Sequence, residues 1–441
     1  MGMMKTIQIG LLGFGTVGTG VAKLLMENAD VLQARVGTPL KLKYIADIEI
    51  EKDRGLSIDP TLLTTDAAMV VDDPEIDIII EMIGGEGIAK DLMLRAIENG
   101  KHVVTANKAL LAKHGNEIFA KAGKKGVDVA YEASVGGCMP IIKTVRESLV
   151  GNRIQSITGI LNGTCNYILS KITDDGSMFE DALADAQTNG YAEADPTLDV
   201  EGFDTAHKLA ILTALGYGMA INYDDIYIEG ISKITPLDIE FAAQFGYRIK
   251  LLAISKFKGG VVEARIHPTM IPFDNILSNV NGTLNAVTVA GDAVGEILLS
   301  GHGAGMMPTA SAVISDIVDL ARNLMAGISG RVPMLACQMD QVKQIPVMPV
   351  EELSTHYYFR FSALDKPGVL SNISGILGKY EISLKSVNQK GRKTNGSVPV
   401  VMMTHRALEA DVKKALKEIE SLDVVGEKPV LIRIEDEAQG E

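Results

Sequence analysis

The sequence predicts an α/β protein with a doubly wound parallel sheet, then an α+β domain, then a small C-terminal βαββαβ domain. Strand-like apolar runs alternate with helical stretches up to about residue 133, as in a doubly wound sheet. Beyond residue 134 helices mix with alternating strands, and a segment with two prolines and two glutamates, 341–352, precedes a last group of short elements. A chain of 441 residues is long enough for three domains.

Composition and charge exclude several classes of function. The chain has 46% hydrophobic and 22% charged residues, as a packed globular protein does, and its net charge of −14 opposes binding to nucleic acid. The three cysteines, Cys138, Cys165 and Cys337, lack metal-ligand spacing, so neither a disulfide framework nor a zinc site is expected. No apolar run approaches the roughly 20 residues that cross a bilayer. We therefore expect a cytoplasmic protein without a nucleic-acid or membrane partner.

The first domain is expected to span residues 1–133. Its first strand, 5–12, is rich in isoleucine and leucine, which suits a strand buried on both faces. A helix follows, with apolar residues at helical spacing from Val17 to Leu25. Further strands are predicted at 42–46, 76–83, 102–105 and 127–131, with a helix at 90–99 among them.

A glycine-rich turn lies between the first strand and the first helix. It is the G-x-G-x-x-G dinucleotide fingerprint, formed by Gly13, Phe14, Gly15, Thr16, Val17 and Gly18. Gly13 permits the tight turn, Gly15 lets the backbone approach a pyrophosphate, and Gly18 allows close helix packing. The flanking strand and helix distinguish this match from an ordinary glycine-rich turn. The sequence therefore predicts a Rossmann-type domain that binds NAD or NADP.

The end of the second strand bears on the choice between NAD and NADP. Asp47 there would accept hydrogen bonds from the adenosine ribose hydroxyls and repel a 2′-phosphate, which favours NAD. It lies further from the fingerprint than the usual ~20 residues. Either an extended loop around 37–39 intervenes or Asp47 is only a surface turn residue, and both interpretations stay open here.

Two lysines are candidates for catalysis. Hydride transfer to an aldehyde builds negative charge on the carbonyl oxygen, which a lysine can stabilise and protonate once burial or neighbours lower its pKa. Lys108 lies at the carboxyl end of a central strand, where open α/β sheets bind ligands. Asp204 and Lys208 are four residues apart on a predicted helix, 201–215, and so share one face. Taken alone, Lys108 is also typical of an ordinary helix start. The Asp204–Lys208 pair taken alone is also typical of a solvated salt bridge.

The rest of the chain divides into two more domains. Residues 134–306 are expected to bind substrate and to dimerise, with a strand at 260–267, while a helix at 309–324 returns within 307–340 to complete the first domain. Residues 341–352 are predicted to be a linker. In the domain 353–441, strands are predicted at 357–362, 382–387, 398–404 and 430–434, and helices at 369–379 and 411–419.

One long motif surrounds the Asp204–Lys208 pair. It consists of Ala186, Gly190, Tyr191, Ala192, Asp195, Pro196, Asp199, Val200, Gly202, Asp204 and Lys208. This segment resembles the homoserine dehydrogenase signature at each of its defined positions. Similar segments are the fingerprint, 81–85, 105–108, 132–137, 161–166 and 303–309, so the resemblance covers about residues 5–335.

The resemblance implies roles for individual residues. Lys208 would donate the proton for aldehyde reduction, Asp204 would hold it, and Lys108 would orient the substrate or share the proton work. Glu193 and Asp199 would bind the substrate's amino group or hydroxyl. The backbone at Gly163 and Gly305 would lie against nicotinamide and substrate. Further cofactor contacts are implied at Gly84, Thr105, Lys108, Ser134 and Gly305.

Two implications of the resemblance concern a bound ion and the cofactor. In the family, backbone carbonyls at Glu132, Val135, Gly137 and Met139 can hold a monovalent cation such as Na⁺. Members that favour NADP often carry an arginine just before the aspartate of the second strand, whereas this chain has Ala46. At position 46 the chain therefore has no guanidinium group that could bind the 2′-phosphate of NADP. Because another basic residue could replace it, the choice between NAD and NADP stays open.

The C-terminal domain carries a second resemblance. The turn 364–370 and the strand 382–389 are similar to those of ACT domains, which are small amino-acid-sensing modules. The resemblance implies that Asp365, Gly368 and Asn388 contact an effector. Our hypothesis is feedback inhibition by threonine, through a change in the equilibrium between module arrangements. A purely structural role in assembly is the alternative.

The resemblance implies a monofunctional enzyme that reversibly reduces L-aspartate 4-semialdehyde to L-homoserine with NAD(P)H, on the route to threonine, methionine and isoleucine. One alternative is an amino-acid sensor that has lost turnover, against which the intact Glu193, Asp204 and Lys208 argue. Another is a different dehydrogenase of amino-acid metabolism, which should lack the 186–208 signature. A homodimer through the middle domain is implied, and pairing of ACT modules would give a homotetramer.

Overall fold

The first sheet has six strands in a computed structural model that describes residues 6–389 and 396–436. The ends of the predicted domains at 1–5 and 437–441, and residues 390–395, lie outside the described residues. The elements of the first domain are β1 (Ile7–Leu12), α1 (Thr16–Glu27), α2 (Ala29–Val36), β2 (Leu40–Ala46), β3 (Leu63–Thr64), α3 (Ala67–Asp72), β4 (Ile78–Glu81), α4 (Gly87–Glu98), β5 (His102–Thr105), α5 (Lys108–Lys125) and β6 (Val129–Ala130).

The strand order of this sheet is β3-β2-β1-β4-β5-β6, and all neighbours are parallel. This is the doubly wound order, and its switch point lies between β1 and β4. Ligands of such sheets bind beyond the carboxyl ends of the strands beside the switch point. The predicted Rossmann-type fold is confirmed.

Two strands of this sheet are shorter than predicted. The strand predicted at 76–83 spans only Ile78–Glu81. It ends there because the Glu81 carboxylate accepts the N–H groups of Ile83 and Gly84 and turns the chain out of the sheet. The strand predicted at 127–131 spans only Val129–Ala130, since a 3₁₀ turn begins at Glu132. Both strands leave the sheet at its carboxyl edge.

The middle domain joins helices to a largely antiparallel sheet. Its elements are α6 (Ile141–Lys143), β7 (Ile154–Ile160), α7 (Gly163–Asp175), α8 (Phe179–Thr188), α9 (Thr197–Val200), α10 (Phe203–Tyr217), β8 (Tyr227–Ile228), α11 (Pro236–Gln244), β9 (Tyr247–Lys258), β10 (Val261–Pro272), β11 (Leu284–Gly291) and β12 (Gly295–His302). Strand β10 is longer than the predicted 260–267 because it pairs with β9 along its full length. Helix α10 begins later than the predicted 201–215, because Gly202 precedes it with φ +87°.

Helix α12 (Met306–Ala326) returns to the first domain and packs against α1. The two helices approach closely at Gly20, where a Cβ would lie 2.9 Å from the Met306 Cγ and 3.1 Å from the Ala310 Cβ. Val313 and Ile317 are buried in the same apolar cluster as β1. This packing supports the proposal that 307–340 completes the first domain. No helix in the described chain is long and apolar enough to cross a membrane.

The C-terminal domain has the predicted βαββαβ order with one additional short strand. Its elements are β13 (Ser354–Leu364), α13 (Val369–Lys379), β14 (Leu384–Gln389), β15 (Ser397–Thr404), β16 (Ala407–Leu408), α14 (Glu409–Glu420) and β17 (Val430–Ile434). The strand order is β17-β13-β15-β14. Tyr357, Phe359 and Phe361 alternate along β13 and fill the core with Ile373 of α13.

The middle and C-terminal domains share one continuous sheet of eleven strands. Strand β10 pairs in parallel with β17, through Thr269 with Arg433 and Met270 with Ile434. The Arg433 guanidinium is buried at this junction, where it forms ion pairs with Glu409 and, at 2.8 Å, with Glu229.

The segment predicted as a linker is attached to the middle domain by backbone hydrogen bonds. The Lys343 carbonyl accepts the N–H of Ala220, and the Pro346 carbonyl accepts the N–H of Val262. Val262 in turn accepts the N–H of Met348. Residues 341–352 therefore follow the surface of the middle domain and do not act as a loose tether.

Candidate active site

Two adjoining cavities lie between the carboxyl edge of the first sheet and the middle domain. Their volumes are about 350 and 670 Å³. Six residues line both cavities: Val17, Ala106, Lys108, Glu193, Asp199 and Asp204. The cavities thus lie where a doubly wound sheet binds nucleotides, and middle-domain residues close them on the other side.

The fingerprint turn has the geometry that its glycines permit. Gly13 has φ +93°, and a Cβ there would lie 2.5 Å from the backbone of Met82. A Cβ on Gly18 would lie 2.1 Å from the Gly13 carbonyl oxygen, so α1 can approach the turn only without one. A Cβ on exposed Gly15 would meet nothing within 4 Å, which leaves open space for a ligand. The side chain of Phe14 is buried, Thr16 is exposed, and Val17 lines both cavities.

Asp47 follows β2, and its carboxylate holds the fingerprint turn. Its Oδ2 accepts the N–H of Phe14 at 2.5 Å, and its Oδ1 lies 3.2 Å from the Arg54 guanidinium. That guanidinium also stacks on the Phe14 ring, 4.8 Å from its centroid. The long spacing between the fingerprint and Asp47 is explained by the additional helix α2. The sequence had left two interpretations open, an extended loop around 37–39 or a surface turn residue at Asp47.

The other predicted cofactor residues differ in their access to the cavities. Gly84, with φ +77°, lines the smaller cavity, and Ser134 and Gly305 line the larger one. Thr105 is fully buried behind the wall, and its hydroxyl donates to Glu81 at 2.7 Å. Thr105 therefore supports the wall through Glu81, whose other oxygen fixes the turn at Gly84.

The structure brings the three predicted catalytic residues together. The Lys208 ammonium lies 2.7 Å from Asp204 Oδ2 and donates at 2.7 Å to the Leu161 carbonyl. The Lys108 ammonium lies 3.0 Å from the other oxygen, Asp204 Oδ1. Lys208 is buried, whereas 41% of the Lys108 side chain is exposed. One carboxylate therefore orients two lysines from two different domains.

The charges of this cluster set its protonation. Burial would raise the pKa of the Asp204 carboxyl, but the ammonium groups of Lys208 and Lys108 outweigh it and hold that pKa well below its usual range. Asp204 in turn raises the pKa of Lys108, with smaller contributions from Asp199 and Glu193. The expectation of a lysine with a lowered pKa is therefore wrong for Lys108, because its neighbours are carboxylates.

Asn162 connects the cluster to the predicted substrate site, although it was not among the predicted site residues. Its amide nitrogen donates to Asp199 at 2.7 Å and to Asp204 at 2.9 Å, while its oxygen caps α7 by accepting the N–H of Cys165. Burial raises the pKa of the Asp199 carboxyl, and the nearby Asp204 carboxylate adds to this. An asparagine before a helical pattern is a capping signal, but its second role depends on tertiary contacts.

The remaining substrate residues lie around the same space. Glu193 is exposed and lines both cavities. Gly163 begins α7, and a Cβ there would lie 2.8 Å from the Thr283 carbonyl oxygen. Gly305, with φ +121°, precedes α12 in the wall of the larger cavity.

Two further wall residues were missed by sequence reasoning. His207 lines the smaller cavity and stacks on Tyr223, and burial lowers the pKa of its imidazole to about 4. Asn285 lines the larger cavity with a fully buried side chain, and neither polar atom of its amide has a hydrogen-bond partner. An isolated histidine or asparagine carries no local sequence signal for such positions.

The predicted cation loop is buried beside the larger cavity. The Glu132 carboxylate accepts the N–H groups of Ile142 and Lys143, and burial, aided by Asp316, raises its pKa to about 7. Val135, Gly137 and Met139 follow in the same loop and are buried as well. No group of three or more His, Cys, Asp or Glu side chains among the described residues is arranged to hold a metal ion.

A separate cavity of about 460 Å³ lies in the C-terminal domain. It is lined by residues 364–370 together with Gln389 and Val400, and so includes the predicted effector residues Asp365 and Gly368. Asn388 lies on β14 next to Gln389 but is not part of the lining.

Family models match all three parts of the chain. The homoserine dehydrogenase NAD-binding domain model matches residues 13–132, the homoserine dehydrogenase model matches 140–318, and the ACT domain model matches 357–424.

Relatives match over nearly the whole length of both chains. The homoserine dehydrogenase of Neisseria gonorrhoeae is 47% identical over 433 residues, which are 98% of this chain and 99% of the relative. That of Pseudomonas aeruginosa shows the same identity and coverage. The crystal structure of a homoserine dehydrogenase from Thiobacillus denitrificans is 48% identical, with a TM-score of 0.92, over 98% of this chain and 99% of that one.

Proposed function

This chain belongs to the homoserine dehydrogenase family, and we propose that it reversibly reduces L-aspartate 4-semialdehyde to L-homoserine at the cluster of Lys208, Asp204 and Lys108. The observation that carries this assignment is the shared carboxylate, which holds two ammonium groups in the wall of a cavity that also reaches the dinucleotide turn. The enzyme is an NAD(P)-dependent oxidoreductase, and its product lies on the route to threonine, methionine and isoleucine.

Lys208 is the proton donor in this proposal. A bound NAD(P)H supplies the hydride for the aldehyde carbon. Negative charge then develops on the carbonyl oxygen, which an ammonium at the cavity wall stabilises before it transfers a proton. Asp204 and the Leu161 carbonyl bind two of the three N–H groups of Lys208, which leaves one for the substrate oxygen. In the oxidative direction the neutral amine takes the hydroxyl proton.

Lys108 has a complementary role because its surroundings differ. Its raised pKa keeps the ammonium charged, and its partial exposure at both cavities lets it contact substrate and water. We assign to it the orientation of the substrate oxygen and a share in the proton path.

The substrate's charged groups match the rest of the wall. Asp199 and Glu193 are carboxylates on the middle-domain side, where they attract the substrate ammonium group. The N-terminus of α7 at Gly163 offers backbone N–H groups and a positive helix end to the substrate carboxylate. The two subsites are adjacent, as suits two groups on one α-carbon, because the Thr164 hydroxyl of α7 donates to Asp199 at 3.1 Å.

We propose that NAD is the preferred cofactor. Asp47 contacts the fingerprint at Phe14, from which it would bind the adenosine ribose and repel a 2′-phosphate, and the Arg54 guanidinium is already engaged by Asp47 and Phe14. The test is the ratio of kcat/KM for NAD and NADP, in the wild type and in Asp47→Ser. We expect a wild-type ratio above one that falls in the variant, whereas preference for NADP in the wild type would mean that Arg54 leaves Asp47 to bind the phosphate.

We also propose a monovalent cation, such as Na⁺, at the loop 132–139. The buried carboxyls of Glu132 and Asp316 favour a positive charge nearby, since burial raises the pKa of both. Such an ion would fix the loop that carries Ser134 at the larger cavity. Homoserine oxidation in sodium, potassium and tetramethylammonium buffers of equal ionic strength tests this, and equal rates in all three would contradict it.

Homoserine-dependent reduction of NAD and of NADP tests the reaction itself. Wild type, Lys208→Ala and the exposed control Lys124→Ala should be assayed side by side, with circular dichroism to check folding. We expect turnover by the wild type and control and a large loss of kcat in Lys208→Ala. A folded wild type that binds dinucleotide without oxidising homoserine would favour a sensor or another substrate.

The ACT domain points to amino-acid regulation, and we propose threonine as the effector at the cavity beside Asp365 and Gly368. Because β17 pairs with β10, variants of the full chain are better tests than removal of the module. Threonine should inhibit the wild type and the partly exposed control Asp411→Ala, and it should do so only at higher concentration in Asp365→Ala. Equal insensitivity of all three proteins would exclude threonine.

We propose that the enzyme works in the cytoplasm as a homodimer or homotetramer. The edge strand β12 of the middle domain has an exposed face that includes Leu298, and the edge strand β14 of the C-terminal domain exposes Val387. Unpaired edge strands are natural sites for a second copy. Light scattering during size-exclusion chromatography distinguishes two from four subunits, and a monomer would contradict the proposal.

A further inference from the structure

One wall of the larger cavity is formed by residues 280–285, where the chain enters β11. Thr283 and Asn285 from this segment line the cavity. The Thr283 carbonyl lies so close to Gly163, at the start of α7, that a Cβ on Gly163 would be 2.8 Å from it. The position of residues 280–285 therefore determines the shape of the cavity at the helix end that faces the substrate.

A buried lysine on β9 holds this segment from beneath. The Lys250 ammonium donates to the Val280 carbonyl at 2.6 Å, to the Asn281 side chain at 3.1 Å and to the Asn166 side chain at 3.1 Å. Only 2% of Lys250 is exposed, and each of these acceptors is a neutral oxygen. A charge buried in this way is costly unless its hydrogen bonds are well made, so the three acceptors are strongly constrained.

The same contacts attach the segment to α7. Asn166 of α7 donates to the carbonyls of Val280 and Leu284, and the Ser170 hydroxyl accepts the N–H of Gly282. Lys250 binds the oxygen of the same Asn166 amide and so fixes its orientation. Strand β9, helix α7 and the cavity wall thus meet at one ammonium group.

We propose that Lys250 is a positioning residue for homoserine oxidation: its ammonium fixes residues 280–285 against α7 and thereby sets the substrate-binding wall at Gly163 and Thr283. The inference rests on the proposed reaction and extends it to a residue without contact to the reacting atoms. A looser wall would weaken substrate binding more than it slows the chemical step, because the Lys208–Asp204–Lys108 cluster is held by other contacts.

The burial of Lys250 also predicts that the KM for homoserine depends on pH. Desolvation lowers the pKa of its ammonium to about 8, with a further decrease from Arg248 on the same strand and an opposing effect of Asp174 at the end of α7. The charge-assisted hydrogen bonds are present below that pKa and are lost as the pH rises through it. The KM for homoserine should therefore rise above about pH 8.

The test compares Lys250→Met with Lys258→Met, an exposed lysine on the same strand, and with the milder Asn281→Ala, which removes one acceptor at an exposed position. At pH 7.5, Lys250→Met should raise the KM for homoserine by about tenfold, the equivalent of roughly 1.4 kcal/mol, with little change in kcat or in the KM for NAD. Asn281→Ala should raise the KM for homoserine by less, and Lys258→Met should leave it unchanged. The rise in KM above about pH 8 should be absent from Lys250→Met.

Each outcome has a definite meaning. If Lys250→Met does not fold, the shift in Asn281→Ala and the wild-type pH profile decide. Wild-type KM and pH dependence in both folded variants would overturn the inference and leave the proposed reaction intact. Equal losses in kcat and in both KM values would indicate general destabilisation and also overturn it. A wild type without homoserine turnover would remove the reaction and this inference together.

Discussion

At the scale of single residues, Asp204 determines how the site works. Its carboxylate binds two ammonium groups, which would otherwise repel each other, and one of them is buried. Because the carboxylate binds both lysines, it positions Lys208, the proposed proton donor, and raises the pKa of Lys108. Asp204 is therefore expected to control both the rate and its pH dependence.

Asp204→Asn should lower kcat for homoserine oxidation by about 10²-fold or more, the usual range for loss of general acid–base catalysis. The amide removes the charge that raises the pKa of Lys108, so Lys108 should lose its proton at lower pH. The high-pH limb of aldehyde reduction should shift to lower pH accordingly. Steady-state rates between pH 6 and 10 measure both effects, and the exposed control Asp181→Asn should match the wild type. An unchanged pH profile in the variant would show that Asp204 does not set the charge of Lys108.

Asp316 makes stability depend on pH. Burial raises the pKa of its carboxyl to about 6, above the value in an unfolded chain. The folded protein thus holds this proton more tightly, and the free energy of unfolding should decrease as the pH rises through the window from about 4 to about 6. Asp316→Asn should flatten this decrease, because the amide oxygen can still accept the N–H of Glu132. Thermal melts between pH 4.5 and 7.5 test this, with the partly exposed Asp319→Asn as control; parallel curves for all three proteins would contradict it.

Residue identity alone predicted part of the site. Lys208, Asp204 and Lys108 were predicted because helical spacing and strand ends are visible in the sequence, and the family signature distinguishes them from an ordinary salt bridge. That Lys108 has a raised pKa was not predictable, because it depends on Asp204, a residue from another domain that approaches to 3.0 Å. Lys250 and Asn285 have no local pattern at all, since only tertiary packing buries them.

At the scale of elements, α7 joins the fold to the substrate. Its N-cap residue, Asn162, satisfies a backbone N–H in the first turn and also holds Asp199 and Asp204. Removal of the side chain should therefore affect helix stability and the active site together.

Asn162→Ala should lower the free energy of unfolding by about 1 kcal/mol, the usual effect of a lost N-cap. It should also raise the KM for homoserine, because Asp199 loses its amide donor. Asp66→Ala removes the N-cap of α3, a residue that lines neither cavity, and gives a matched control with a similar loss of stability. Chemical denaturation and homoserine titration measure the two effects, and equal KM values for the two variants would refute the second role of Asn162.

Elements were better predicted than their ends. The strand at 102–105 and the helix at 369–379 match the structure residue for residue, because apolar runs and turn residues bound them. Strand β4 was predicted too long because the apolar run continues to Ile83, whereas the buried Glu81 carboxylate turns the chain away earlier. Helix α2 was missed since its 8 residues leave only Leu32 buried, and the amphipathic signal is weak.

At the scale of the whole molecule, the junction between β10 and β17 joins the catalytic and ACT parts. Arg433 is 3% exposed there and binds Glu409, which is fully buried, and Glu229 of the middle domain. The sequence pattern predicted three domains but not this junction, because a parallel pairing between residues 269–270 and 433–434 has no local signature.

Arg433→Met should lower the free energy of unfolding by about 3–5 kcal/mol, since it leaves the buried Glu409 carboxylate without its cation. The double variant Arg433→Met, Glu409→Gln should recover part of this loss, because the amide carries no charge. Denaturant unfolding of the full chain measures both, with the exposed Arg406→Met as control. A double variant no more stable than the single one would show that the Arg433 side chain contributes mainly through packing.

The shared sheet also means that a movement of the ACT module would be transmitted to the middle domain. A rotation of the module about β17 twists β10, because hydrogen-bonded strands cannot slide independently. β10 accepts the Glu229 N–H through the Ile266 carbonyl at 2.8 Å, and two residues later the Ile231 N–H is bound by the Val200 carbonyl at 2.8 Å. Val200 is the immediate neighbour of Asp199, so a twist of β10 would reach the carboxylate that we propose binds the substrate.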